Sequence, residues 1–208
     1  MEVLIVSKTK MALNKCCIGG ITMDGRNIRL RDKNGDNLLD ETPLSLKEVW
    51  DIEFFDKPNI TSPHIEDVII TSMKFKRMVK ENLKVIDIIN KLKTTIWQGN
   101  IDNLFDNFLQ WENGSGYINK EKGIPKMSVG FWISDKDLTK FETKFGIRYS
   151  YNEDRKLKYV GYENPVNIIP RNTLIRVSLA RWFKRDIYTE ERCYLQLSGW
   201  YDYSENNK

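Results

Sequence analysis

Short runs that alternate apolar and polar residues, each closed by a turn signal, dominate both ends of this 208-residue chain. That pattern constrains the fold more than any other feature, because a period of two describes a half-buried strand and is incompatible with a helical stripe. Val3 to Val6 is a short run rich in β-branched residues, and Ile18 to Met23 carries two glycines. Asp24-Gly25 then precedes the alternating RNIRLRD of residues 26–32, which together read as a hairpin. EVWDIEFF at 48–55 alternates again, and EDVIITSMKF follows Pro58 and Pro63. Four or five short strands within residues 1–78 predict a small barrel, since closure removes exposed sheet edges.

The texture changes at Met78. Val79, Leu83, Ile86, Ile89 and Leu92 recur at steps of three and four, and Ile101, Leu104, Phe105, Phe108 and Leu109 do so again. Two amphipathic helices are expected, with Gly99 stopping the first and Asn100 capping the second. NGSG at 113–116 and NKEKGIPK at 119–126 read as a linker. Strand patterns then return in SVGFWIS, in KFGIRYSYNEDRKLKYVGY with a hairpin tip at NED, in TLIRVSLARWF and in RCYLQLSGWY. DKDLTKFE at 135–142 fits either a helical turn or a bulged strand. The expected architecture is mainly β with a helical insert, an α+β class. It comprises a β domain at 1–78, a helical insert and linker at 79–125, and a second β domain at 126–208.

Residue arithmetic removes most enzyme classes. His64 is the single histidine, and the three cysteines are adjacent Cys16 and Cys17 plus distant Cys193. Two-histidine zinc sites, CxxC pairs, disulfide frameworks and most histidine-based triads therefore lack residues or spacing. There is no glycine-rich dinucleotide or P-loop motif. No apolar run approaches the ~20 residues of a membrane helix. Cys16 and Cys17 read as small buried hydrophobes, Glu66-Asp67 and Asp135/Asp137 as carboxylates brought together by chance, and His64 as a structural residue on a surface loop. The expectations are a non-enzymatic cytoplasmic protein with no metal, no cofactor and no membrane partner.

Charge marks the second half. Residues 1–125 carry 18 Lys+Arg against 18 Asp+Glu, whereas 126–208 carry 15 against 11, which is the whole net charge of +4. RNTLIRVSLARWFKR at 171–185 contains five cations and no acid. As a strand it would place Ile175, Val177, Leu179, Arg181 and Phe183 on a core face, and Leu174, Arg176, Ser178, Ala180 and Trp182 on the other. In the closing strand, Leu195 and Leu197 mark the buried side and leave Tyr194, Gln196, Ser198 and Trp200 as a row of stacking and hydrogen-bonding groups. Either row also fits a structural role against the helical insert. In the first half, Arg29 and Arg31 face outward if Ile28 and Leu30 face inward, as a solvated face or an extension of a basic track.

These same segments carry a family resemblance. VLIVSKTKM, CCIGGI, DGRNIRLRD, SPHIEDVIIT, IPRNTLIRVSLARWF and ERCYLQLSGWY resemble prokaryotic proteins described as carrying a dual OB-containing domain, over residues 3 to about 201. The resemblance implies two small OB-like β-barrels in tandem, and nucleic-acid binding by analogy. The functional expectation is a binding module for single-stranded DNA or RNA, or for an exposed nucleotide, on the second barrel. Trp182, Tyr194 and Trp200 would stack, and Gln196 and Ser198 would read. Arg176, Arg181 and Arg185 would contact phosphate, with Arg181 at the end of its strand and Arg29 and Arg31 as a possible continuation. The alternative is an adaptor whose Trp/Tyr face docks onto a partner protein. Ionic strength separates the two, because phosphate binding weakens steeply with salt.

Overall fold

The computed structural model describes residues 1–187 and 189–201. They form two compact units: residues 1–61 with 65–95, and residues 62–64 with 96 onward. The division at Thr95/Ile96 falls inside the stretch 79–125.

The first unit contains β1 (Glu2–Lys10), β2 (Lys15–Thr22), β3 (Asn27–Arg31), β4 (Leu38–Leu39), β5 (Glu48–Asp56), β6 (Asp67–Met78) and helix α1 (Val85–Lys91). The sheet order β1-β5-β6-β3-β2 closes through a β1–β2 pairing, which makes a five-stranded barrel, and β4 adds to β2. Asp24-Gly25 forms the β2–β3 turn as expected, with Gly25 at φ +87. The barrel interior is apolar: Ile5, Ile18, Ile28, Leu30, Ile52 and Val68 are all buried, and Leu4 and Ile21, paired on the opposite face, are buried as well. Only the last part of the helical pattern at 79–92 becomes helix. The Val79 amide still donates to the Lys47 carbonyl at 2.8 Å, so the chain there continues the edge of the sheet. The helix then forms where Val85 and Ile89 bury a shared face.

The second unit contains β7 (Ile96–Gly99), β8 (Gln110–Glu112), β9 (Ser115–Asn119), β10 (Val129–Ser134), β11 (Leu138–Thr143), β12 (Gly146–Asn152), β13 (Arg155–Tyr159), β14 (Ile168–Ile169), β15 (Leu174–Leu179) and β16 (Arg192–Tyr201). They make one sheet in the order β14-β11-β12-β13-β9-β16-β15-β10-β7, with β8 on β9 and a further β13–β16 pairing. Its core gathers Trp132, Tyr149, Leu157, Ile175, Val177, Leu195 and Leu197. The undecided stretch 135–142 supplies β11, and NED is the β12–β13 turn.

Residues 101–109 form no α-helix. Ile101–Asn103 and Phe105–Asn107 are single three-residue turns separated by extended backbone at Leu104, and all three residues of the second, Phe105, Asp106 and Asn107, have left-handed backbone. The periodic apolar residues are nevertheless core, with Ile101, Leu104 and Phe105 fully buried. Asn100 does cap, its side chain accepting from the Asp102 amide at 2.9 Å. Asn113-Gly114, expected as linker, is a two-residue hairpin turn between β8 and β9 with φ of 49° and 75°. Those paired positive values belong to the turn type that Asn-Gly favours.

Candidate functional site

Strand register in the second unit builds a polar row across the sheet. Phe141 of β11 pairs with Arg148 of β12, Arg148 with Lys158 of β13, Lys158 with Gln196 of β16, and Gln196 with Ser178 of β15. Directly opposed residues share a face, so all five lie on the side away from Tyr149, Leu157, Leu195 and Leu197. Two residues along, Ser150 pairs with Lys156 and Lys156 with Ser115 of β9. Beside this row lies a cleft of about 440 Å³. Ser115, Gly116, Arg148, Lys156, Lys158 and the segment Ala180–Phe183 line it, together with Tyr194, Leu195 and Gln196. Four of these residues are cations, and no Asp or Glu is among the described residues lining it.

Several cleft residues are held in place. Arg148 Nη1 donates to the Ser115 hydroxyl at 3.0 Å. The Lys156 amide donates to the Gly114 carbonyl at 2.9 Å, and its side chain lies over Gly114 with the ammonium 5.7 Å from the Phe141 ring centroid. A Cβ on Gly114 would stand 3.1 Å from Lys156 Cδ, so glycine answers both the turn and the lysine's path. On the far side the Ala180 amide donates to the Tyr194 carbonyl at 2.8 Å, and Phe183 and Arg192 exchange two backbone bonds of 2.9 Å. The Trp182 indole N–H donates to the Ser62 carbonyl at 2.7 Å, and the Lys120 ammonium sits 5.1 Å from its ring centroid.

Glu112, Glu190 and Glu191 are engaged by cations that do not line the cleft. Arg192 binds Glu112 at 2.7 Å and Glu190 at 2.9 Å while its guanidinium lies 3.9 Å from the Tyr117 ring centroid. Lys120 binds Glu191 at 2.6 Å. The hydrogen bond from Arg192 holds the Glu112 carboxyl below the usual range, and Lys120 does the same for Glu191. Burial raises the Tyr117 phenol. Glu112 and Glu191 are thus compensated by Arg192 and Lys120.

Of the ten candidate residues, Arg181, Trp182, Tyr194 and Gln196 come together in this cleft. Arg185 is exposed on the β15–β16 connection but does not line it. The other five lie elsewhere, each for a physical reason. The β15–β16 pairing shifts register between Arg176 and Val177, where Arg176 faces Gly199 and Val177 faces Leu197. Ser198 is the extra residue of this bulge, which reverses the alternation beyond it. Trp200 consequently joins the core beside Tyr149 and Tyr159, at ring separations of 5.9 and 5.5 Å, and Ser198 is buried with its hydroxyl 3.0 Å from that of Ser178. Arg176 is 1% exposed and stacks on Phe131 at 4.5 Å, so it offers no open cation.

Arg29 and Arg31 do lie on the face of β3 opposite Ile28 and Leu30, but that face is buried rather than solvated. The parallel pairing of β3 with β6 sets Arg29 opposite Asp67, and the two arginines reach Asp67 at 3.5 and 3.1 Å and Glu66 at 3.8 Å. RNIRLRD and IEDV therefore form a buried ion-pair network. Sequence reasoning missed Arg148, Lys156 and Lys158. They alternate with the apolar residues of KFGIRYSYNEDRKLKY, and that period was the available signal.

A model of the dual OB-containing domain matches residues 1–200. The chain belongs to that family. Its closed barrel and large second sheet fit two OB-like domains in tandem, an architecture whose members are in general binding modules rather than enzymes. No curated protein and no solved structure matches the chain. No helix among the described residues is long and apolar enough to cross a membrane.

The remaining chemistry of this dual OB-containing chain lies inside its folds. No group of three or more His, Cys, Asp or Glu able to hold a metal ion occurs among the described residues. Burial pushes the Cys16 thiol up to about 11, which leaves it protonated at neutral pH. His64, expected on a loop surface, is 1% exposed, with Nε2 3.7 Å from the buried Cys193 sulfur. The three-residue excursion of the chain at 62–64 is what brings it there.

Proposed function

We propose that this dual OB-containing chain is a non-enzymatic module that binds single-stranded nucleic acid on the outer face of its second unit. The observation that carries the reading is a cleft in which Arg148, Lys156, Lys158 and Arg181 stand beside Trp182 and Tyr194 with no acid among the described lining residues. Cations that follow a phosphate backbone, next to rings that accept any base face, are the combination OB-type single-strand sites use. Gln196, with both a donor and an acceptor, adds limited readout of a base edge or a sugar hydroxyl.

Fluorescence-anisotropy titration of labelled single-stranded DNA and RNA, at low and moderate salt, tests it. Micromolar or tighter binding that weakens with salt, and is reduced but measurable in Trp182→Ala and Lys158→Gln, is the expected result. Absence of binding at low salt removes the nucleic-acid reading and turns attention to a partner protein on the same face.

A further inference from the structure

The cleft is better shaped for the end of a strand than for its middle. Its volume of about 440 Å³ lies near the lower end of the ~300–1,000 Å³ typical of small-ligand pockets. It therefore suits about one nucleotide, whereas OB grooves that follow a strand engage roughly 4–16. One side is a wall. The backbone bonds of Ala180 with Tyr194 and of Phe183 with Arg192 extend the β15–β16 pairing upward past the cleft, and the bond from Trp182 to Ser62 pins the ring on that wall. On the opposite, β9 side, next to Ser115, stands the Asn113-Gly114 turn, with Lys156 laid across Gly114.

Charge points the same way. An internal phosphodiester carries one negative charge, while a phosphomonoester carries about −1.5 to −2 at pH 7 and has more free oxygens to accept hydrogen bonds. Four cationic residues line this cleft, with Arg148 oriented by its bond to Ser115. That exceeds what a single internal phosphate needs.

Resting on the single-strand reading above, we infer that the cleft captures a terminal nucleotide bearing a phosphomonoester: the terminal phosphate lies among Arg148, Lys156 and Lys158, and its base lies against Trp182. The rest of the strand leaves over Phe141.

The test compares one oligonucleotide sequence in four forms, namely 5′-phosphorylated, 3′-phosphorylated, unphosphorylated and circular, by competition against a labelled strand, with a nucleoside 5′-monophosphate as a fifth competitor. One of the phosphorylated ends is expected to compete at least tenfold better than the unphosphorylated and circular forms. That advantage should disappear in Lys158→Gln, an exposed substitution that leaves the fold intact, and the mononucleotide should compete detectably. Equal competition by all four strands would overturn end capture while leaving single-strand binding standing. Failure of the labelled strand to bind at all would remove both readings. Competition by the mononucleotide with no difference among the strands would also overturn the assignment, since it would place the strand's contacts outside the cleft.

Discussion

Lys158 of β13 lies directly opposite Gln196 of β16 in a parallel pairing, so a cation and an amide from distant parts of the chain stand side by side on the outer face of the second unit. Their adjacency joins a segment of strong sequence signal to one that carried little, and it makes a quantitative demand. If Lys158 contacts phosphate, Lys158→Gln weakens strands of every base sequence alike and lowers the salt slope of log K by about 0.7. Gln196→Ala should leave the slope unchanged and alter the preference among bases. A salt series on both variants checks this.

Trp182 and Trp200 separate binding from folding. Trp182 is half-buried on the cleft, and Trp182→Ala is expected to cost about 1–3 kcal/mol of binding with little change in the unfolding midpoint. Trp200 is 7% exposed among Tyr149 and Tyr159, and Trp200→Ala is expected to cost about 3–5 kcal/mol of stability. Denaturant unfolding beside anisotropy distinguishes them, and a stable Trp200→Ala protein that fails to bind would contradict the placement.

The ion-pair network of the first unit is structural. Asp67 is 2% exposed and serves both Arg29 and Arg31, so Asp67→Ala leaves two buried guanidinium groups short of compensation. A loss of about 3–5 kcal/mol is expected from urea unfolding, with nucleic-acid affinity of the folded fraction unchanged. A loss below about 1 kcal/mol would show that these charges are solvated.

Cys16 gives a pH dependence with a definite sign. Its thiol rises from an ordinary 9.0 to about 11 because burial disfavours the thiolate. The fold therefore favours the protonated form, and the resulting stability is complete below about pH 9 and lost as pH climbs through about 11. Relative to Cys16→Ala, the wild-type chain should lose up to about 2–3 kcal/mol across that window. Urea midpoints of the two proteins from pH 8 to 11 measure it, and parallel curves would contradict it.

Much of the fold was legible because period-two alternation and turn dipeptides are local. Asp24-Gly25 and NED formed the turns they signalled, and most strands lie where alternation placed them, whereas β7, β8 and β9 fall in the stretch read as helical insert and linker. The stretch 101–109 misled because its spacing of three and four is satisfied equally by two short turns, the second of them left-handed, joined by extended backbone at Leu104. At the site, half of the closing strand was read in the correct register. Tyr194 and Gln196 face outward, but the bulge at Ser198 sends Trp200 inward, and no residue near it announces an extra position. Arg29 and Arg31 were hidden for another reason: their partners at Glu66 and Asp67 become neighbours only through a parallel strand pairing, which leaves no mark in local sequence.

The most direct test of the central claim is backbone amide chemical-shift mapping during titration with a single-stranded oligonucleotide. The account predicts that the largest shifts cluster at residues 115–116, 148, 156–158, 180–183 and 194–196 and that those near Arg29 and Arg31 stay unmoved. Shifts centred on the first unit, or no shifts at saturating oligonucleotide, would contradict it.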